Sequence, residues 1–530
     1  MTAGFEVRRR CVWSVRILCL VLALVWCAGA HAQGTKAPSS KAPSTAPPKS
    51  GAGGGYGNSG GAKTKGKAWV APPRNDVKKK GAGKAGGKYA KPKQQSPNKQ
   101  WQKPFAKKPS AAGFVDFGAT DAAPTPPPTP SWDLAKPKRF VVLTPRSIQL
   151  DGGAVQPAEN PIVRALEACG PGSTIVLDAG DYRPFSIGFA TADDNNARTR
   201  GGAPGQPVVV AARGAVRIHG GTLGHCIRVA QQIQNGHFTF RGIALHGATQ
   251  SAIQLARGGT HVGFRFEDCP IDGGYDHAAQ KGLASANGID AHGVIDFAYV
   301  GTTQPVTIKH LRSGDGIRLV HTQGDVVLER VVGERLGGAL VRVTSPSADG
   351  PPGLGLVFLR QCVAHDVGLS PDAGHKSAYA FTFTGRHFGT IALDRCEYRS
   401  GFEPALLGLT QPGVAYGLGA VQVTDGVDHA RTETFVLHAC DFRAAPDTGA
   451  GALVSIGGCH MLRIEGKSVF VAGKSGLAVD LDPRGEAVAG GLRSLANGLT
   501  RVAPDTDVTG ALRVRGVAVE LRHLESYGLR

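Results

Sequence analysis

Acidic residues are almost missing from one long stretch of this 530-residue chain. Between Gln33 and Ser110 there are 18 Lys or Arg and a single acid, Asp76. From Ala111 onward 38 bases face 39 acids, so the net charge of +19 belongs to the N-terminal part. That distribution removes overall basicity as an argument for specific nucleic-acid binding. Helical periodicity is nearly absent after residue 170, which excludes a helical bundle. No Cys-x-x-Cys or His-x-x-x-His spacing occurs, so nothing points to zinc or any other metal. The apolar run Ile17 to Trp26 is too short to span a bilayer comfortably, and bulky Trp26 just before Cys27 argues against a lipoprotein site.

What is present divides the chain unevenly. Residues 1–32 read as a secretory signal, with Arg8, Arg9, Arg10 and Arg16 before the apolar run and Ala30-His31-Ala32 as the cleavage site. Residues 33–138 form a Gly/Lys/Pro-rich basic linker that buries too little apolar area to offset its ordering entropy, with Pro124 to Pro130 as a stiffer spacer. The folded domain is expected over 139–487, with 488–530 as a C-terminal cap or extension. The mature chain is expected to be a monomer without a membrane span, secreted, periplasmic or associated with the cell envelope. Seven cysteines remain after the signal, and four of them share one repeat position, which predicts a buried, mostly reduced stack.

That position belongs to a phrase that recurs through the second half. It consists of a hydrophobic residue, any residue, a second hydrophobic residue, two spacers, then a small or apolar residue. Copies start at Phe238, Phe264, Val306, Val326, Val357, Ile391, Phe435 and Leu462, spaced 20 to 44 residues apart, and Cys269, Cys362, Cys396 and Cys440 fill the last slot. Six second-strand signals precede these phrases: Ile253-Gln254-Leu255, Ile289-Asp290-Ala291, Ile317-Arg318-Leu319, Val341-Arg342-Val343, Tyr379-Ala380-Phe381 and Val421-Gln422-Val423. Two or three short strands per unit, separated by Gly or Asp bends, describe one coil of an all-β parallel solenoid. A β-sandwich would not keep one apolar register over so many units. Upstream, Asn160-Pro161 and Ile162 to Ala168 predict a short capped helix with Pro in its first turn.

The helix, Gly172-Ser-Thr-Ile-Val-Leu-Asp-Ala-Gly-Asp-Tyr182, Gly202-Ala-Pro-Gly-Gln-Pro-Val-Val-Val210 and the repeated strands together resemble the right-handed parallel β-helix of the pectate-lyase-like superfamily. The first two segments after the helix look like the opening coils of the chondroitinase B and alginate lyase family. The resemblance covers roughly residues 140 to 485. It implies a single-stranded right-handed β-helix with an N-terminal capping helix. For activity it implies a lysine–arginine pair, often with calcium. No segment here matches that motif, and Asp290 alone offers too few oxygens for calcium, so no cofactor is expected.

Strand alternation places two columns on the outside. The first reads Arg241, Glu267, Lys309, Glu329, Arg360, Asp394, His438 and Glu465, alternating in sign if His438 is positive. It is either an ionic binding strip or a salt-bridge ladder between coils, and the ladder is the simpler reading because exposed pairs mainly avoid repulsion. The second reads Gln254, Asp290, Arg318, Arg342, Ala380 and Gln422, with His292, Thr344, Thr382 and Thr424 one outward step further. Here Arg318 and Arg342 stack without an acid between them, which suits a bound anion. Insertions holding Tyr275, Asp276, His277 and Lys281, and then Tyr416, are placed to wall this side.

The expected function is an exported β-helix protein that binds or processes polysaccharide, of acidic type, at the cell envelope or outside the cell, and two alternatives refine it. A polysaccharide lyase needs a uronate carboxylate neutralised, an α-proton removed and a leaving oxygen protonated. Candidate catalytic residues are Arg318, Arg342, His292, His321 and Asp290; candidate substrate-binding residues are Gln254, Lys309, Gln422 and Tyr275. A non-catalytic structural or adhesive protein that holds polysaccharide or an anionic envelope polymer is the alternative. It accounts for the basic tail, whose Tyr56, Trp69, Trp101 and Phe105 suit such a polymer. A glycosidase pair of carboxylates is not evident.

Overall fold

The computed structural model describes residues 136–521 apart from 189–193, 231–234, 284, 346–352, 371–378, 401–417, 425–431, 447, 449–450, 482–496 and 515–516. The signal, the tail up to residue 135 and Tyr416 lie outside the described residues, all of which fall in the unit Phe117–Arg530. Among the described residues, no helix is long and apolar enough to cross a membrane.

The chain is a parallel β-helix in which each coil contributes three strands. One coil runs through Ser251–Leu255, His261–Glu267 and Ile271–Asp272 before the next begins at Asn287–His292. Ile253 lies beside Ile289 in a first sheet of 13 strands, Phe264 beside Phe238 in a second, and Ile271 beside Leu245 and Ile308 in a third. The second and third sheets belong to one 22-stranded network, because Val208–His219 and Asn235–His246 run through the bend and pair at both ends. Later coils turn that corner on one residue in the left-handed region: Asp268, Arg330, Gln361, Arg395 and Ala439, with φ of 50 to 53°.

Alternation decides which side chains enter. Phe238, Phe240, Phe264, Phe266 and Phe297 are buried and stack from coil to coil, with ring centroids 5.1 to 6.0 Å apart. Each such pair adds about 0.5–1.5 kcal/mol beyond the area it buries. Cys362, Cys396 and Cys440 occupy one inward slot on successive coils, while Cys269 holds the same slot nearer the N-terminus. All seven cysteines of the described chain are buried and free. Burial pushes the Cys269 and Cys440 thiols up to about 12, which keeps them as inert apolar groups.

The structure corrects four expectations. Asn160 does not cap the helix Pro161–Ala168; its amide donates instead to the Pro184 carbonyl and Asn195 Oδ1. Parallel pairing continues past residue 487 to Ala511–Val514, and Val517–Val519 folds back antiparallel on that last strand. The Val306 phrase lies in the third sheet, so Lys309 leaves the charge ladder and Val300 takes its place between Glu267 and Glu329. The physical reason is the loop Gly301–Pro305, which replaces the single bend residue on that coil. Asp268 holds it by accepting the Thr302 amide at 2.6 Å and the Thr302 hydroxyl. Finally, Ala380 points inward and is fully buried, and the outward residue beside Arg342 is Thr382, followed by Thr384.

The remaining ladder is a set of ion pairs between coils. Arg241 Nε donates to Glu267 at 2.6 Å, and Asp394 accepts His438 Nδ1 at 2.8 Å and Arg395 at 2.9 Å, with Arg360 3.7 Å away. Partial burial raises the Asp394 pKa, but those hydrogen bonds outweigh it and leave the carboxyl below its ordinary value.

Four histidines sit inside the coil corners at 0 to 3% exposure: His225, His261, His277 and His387. Each donates one ring nitrogen to a carbonyl, of Ser251, Ala256, Leu311 and Gly355 respectively. In His261 and His387 the remaining Nδ1 has no partner, so a proton there would be buried and unsatisfied. Burial lowers all four pKa values. The unfolded chain therefore takes up protons that the folded one refuses, and stability is full above the unfolded value of about 6.5. Below it, denaturant unfolding at stepped pH should show stability falling by at most about 1.4 kcal/mol per pH unit for each histidine. A flat profile between pH 7 and 5 would contradict this.

Candidate functional site

The outward column of the first sheet runs Arg228, Gln254, Asp290, Arg318, Arg342, Thr382, Gln422, Ser455, Asp480 and Arg513. Neighbours are about 4.8 Å apart, the inter-strand spacing. At one end Arg513 pairs with Asp480 at 2.5 Å, and at the other Arg228 Nε donates to the neutral Gln254 Oε1 at 3.2 Å. Between them lie the residues that sequence reasoning selected.

Asp290 is the centre of that group. Its Oδ1 is buried and makes no well-directed hydrogen bond, yet it sits 3.2 Å from His292 Nε2 and 4.0 Å from Arg318 Nε. The strand Asn287–His292 brings Asp290 and His292 to the same face, two residues apart, and stacking brings Arg318 above Asp290. His292 and Asp290 are 16% and 15% exposed at their side chains, whereas Arg318 is 43% exposed. The guanidinium thus reaches outward over a shaded carboxylate–imidazole pair.

The two arginines are direct neighbours with no acid between them in the column, yet they are not equivalent. Arg342 Nε donates to Asp315 Oδ2 at 2.7 Å. Asp315, 7% exposed, precedes the strand Ile317–Val320 at the corner between the third and first sheets. Its Oδ1 accepts the Ala339 amide and its own amide donates to Asn287 Oδ1, both at 2.9 Å. The Ser313-Gly314-Asp315-Gly316 turn was the only sequence signal for this carboxylate. Arg318 has its acid only at the edge of contact and is the cation best placed to meet an external anion.

The other candidates separate. His321 follows Val320, the partner of His292 in the register, and stands half-buried at a φ of 57° beside the site. Gln254 and Gln422 share the column, two coils or more from Arg318. Lys309 is on the third sheet, 3.7 Å from Asp272, whose Oδ1 lies 3.1 Å from His310 Nδ1, so it is not brought to Arg318. Tyr275 is 5% exposed, packed edge-on to His277 and under the Arg312 guanidinium; it supports the insertion and does not line the column. No group of residues with metal-holding geometry occurs among the described residues.

A cleft of about 410 Å³ lies elsewhere, on the second sheet, among His237, Thr239, Arg265, Asp296, Ala298 and Asp325. Sequence reasoning did not find it, because its rim comes from bend residues outside the repeated phrase.

No protein-family model and no curated protein matches the chain. Among solved structures, it is similar to the catalytic domain of a GH87 α-1,3-glucanase in complex with tetrasaccharides, at 10% identity and a TM-score of 0.29. The match covers 63% of this chain and 63% of that one, so the alignment leaves more than a third of each outside. Nothing about ligands or chemistry transfers at that level of likeness.

The Arg342–Asp315 pair generates a stability difference between the arginines. Arg342→Met strands a shaded carboxylate and should cost about 1–3 kcal/mol in urea unfolding. Arg318→Met removes an exposed group and should stay within about 0.5 kcal/mol. Equal losses would refute the assignment of Asp315 to Arg342.

Proposed function

We propose that the first sheet of this β-helix binds an acidic polysaccharide outside the cell, with the polymer's carboxylates against Arg318 and Arg342. The observation that carries the reading is the outward guanidinium of Arg318 on the coil next to Arg342. Arg342 is held by Asp315, while Arg318 retains most of its charge for a ligand. Arginine's planar fork matches a carboxylate with two parallel hydrogen bonds. A polymer lying along the coil axis meets Arg318 and Arg342 in succession, then passes buried Thr382 to the neutral Gln422, so a chain can be gripped at its acid groups without uniform charge.

The Asp290–His292 contact favours a second step, β-elimination. The Asp290 carboxylate, 3.2 Å from His292 Nε2, favours the ring proton on that nitrogen by charge and leaves Nδ1 as the base for the proton α to the uronate carboxylate. The electron pair left behind delocalises into that carboxylate, where Arg318 and Arg342 offset the charge. It then forms the new double bond as the glycosidic oxygen departs, and His321 is the nearest sequence-selected group that can protonate that oxygen.

Incubation of the protein with polygalacturonate, alginate and chondroitin tests both steps. At least one polymer should be retained at low salt and released as salt rises, since screening weakens exposed charge contacts. Arg318→Ala should weaken retention at least tenfold at unchanged melting temperature. Ultraviolet absorbance of an unsaturated product should appear with the wild type and vanish in His292→Ala while binding persists. Retention without absorbance leaves a binding protein; no retention of any of the three removes the reading.

A further inference from the structure

We infer that the cleft on the second sheet is a separate binding site for an uncharged glycosyl unit. Thr239 and Ala298 alternate with buried Phe238, Phe240, Phe297 and Tyr299, so they point outward. Both are nevertheless only 8% exposed, which makes them the floor of a recess. One end is closed by the segment Ala203 to Pro207, and the rim carries His237, Asp296 and Asp325. The recess spans coils that meet in register at Phe238, Phe264, Phe297 and Val326. At about 410 Å³ it falls within the range of small-ligand sites.

Two glycines, two coils apart, hold the rim open. A Cβ at Gly263 would meet His237 Nδ1 at 2.7 Å, and one at Gly324 would meet Asp296 Oδ1 at 2.3 Å. His237 and Asp296 therefore lie flat across the next coil, each from a residue with φ near 55°. Asp296 Oδ1 accepts the Asp325 amide at 3.0 Å, fixing the two acids relative to each other. Asp296 and Asp325 are both exposed.

Charge selects the ligand. Arg265 crosses the floor but is already paired with Glu267, which also holds Arg241. An anionic sugar would meet Asp296 and Asp325 and suffer like-charge repulsion. Sugar hydroxyls donate to the carboxylates and accept from the guanidinium and imidazole, so a neutral unit satisfies the whole rim. The floor gives small apolar contacts from Ala298 and Val327.

Calorimetric titration of the full chain with cellotetraose, laminaritetraose and maltotetraose tests this, with tetragalacturonate as the charged control. At least one neutral tetraose should bind, and Asp325→Ala and the recess-filling Ala298→Phe should each weaken it at least tenfold. Arg318→Ala should leave that binding unchanged. No heat from any neutral tetraose at about 10 mM would overturn the inference, since weaker binding than that is not a site. Binding that both cleft variants leave intact, or that Arg318→Ala removes, would overturn it equally. Loss of acidic-polymer retention with neutral binding intact would count against the first-sheet reading alone.

Discussion

The in-register stacking of one coil on the next is the constraint from which everything else in this protein derives. Each coil has only two or three inward residues per strand, too few to form a core alone, so burial exists only between coils. Once register is set at Phe238 and Phe264, the outward residues have no freedom: Arg241 must lie beside Glu267, and Asp290 beside Arg318. Surface chemistry and core packing are thus one choice, because a shift of one residue would invert both faces. The stacked phenylalanines and the Cys362–Cys396–Cys440 column hold that choice from inside, and the ion pairs hold it weakly from outside.

How far the sequence was legible follows from the same geometry. The period of two revealed which residues point inward, and hence the solenoid, the thiol column and most of both outward columns. It did not reveal which sheet a strand joins, since strands of the second and third sheets share the same alternation. Val306-Thr307-Ile308-Lys309 reads like any other copy, and only the Gly301–Pro305 loop, clamped by Asp268, moves it around the corner. Ala380 failed for a related reason: Tyr379 and Phe381 alternate correctly, but the register with Arg342 starts at Phe381. Contacts that come from corners, such as Asp315 on Arg342, carry no periodic signal at all.

Corners also explain why the arginine pair is tolerable. Two guanidiniums on adjacent strands would repel, and a ladder acid between them is impossible because their coils are already adjacent. Asp315 supplies the charge from outside the column, anchored by the Ala339 amide and facing Arg342 alone. The compensation is therefore asymmetric. One arginine becomes a fixed part of the scaffold, and its neighbour keeps an exposed head beside Asp290.

The two recesses of the surface differ in the way that this argument predicts. On the first sheet, cations stand out from the strand and the acids are drawn into corners or beneath them, so the face presented to solvent is positive. On the second sheet Glu267 lies likewise beneath Arg241 and Arg265, but Asp296 and Asp325 stand at the exposed rim of the cleft. In-register stacking fixes the spacing of outward side chains from coil to coil at about 4.8 Å. Which side chains meet on the surface is decided by which coil carries them, and an insertion of one coil between Arg318 and Arg342 would separate the cations while leaving every core contact type in place.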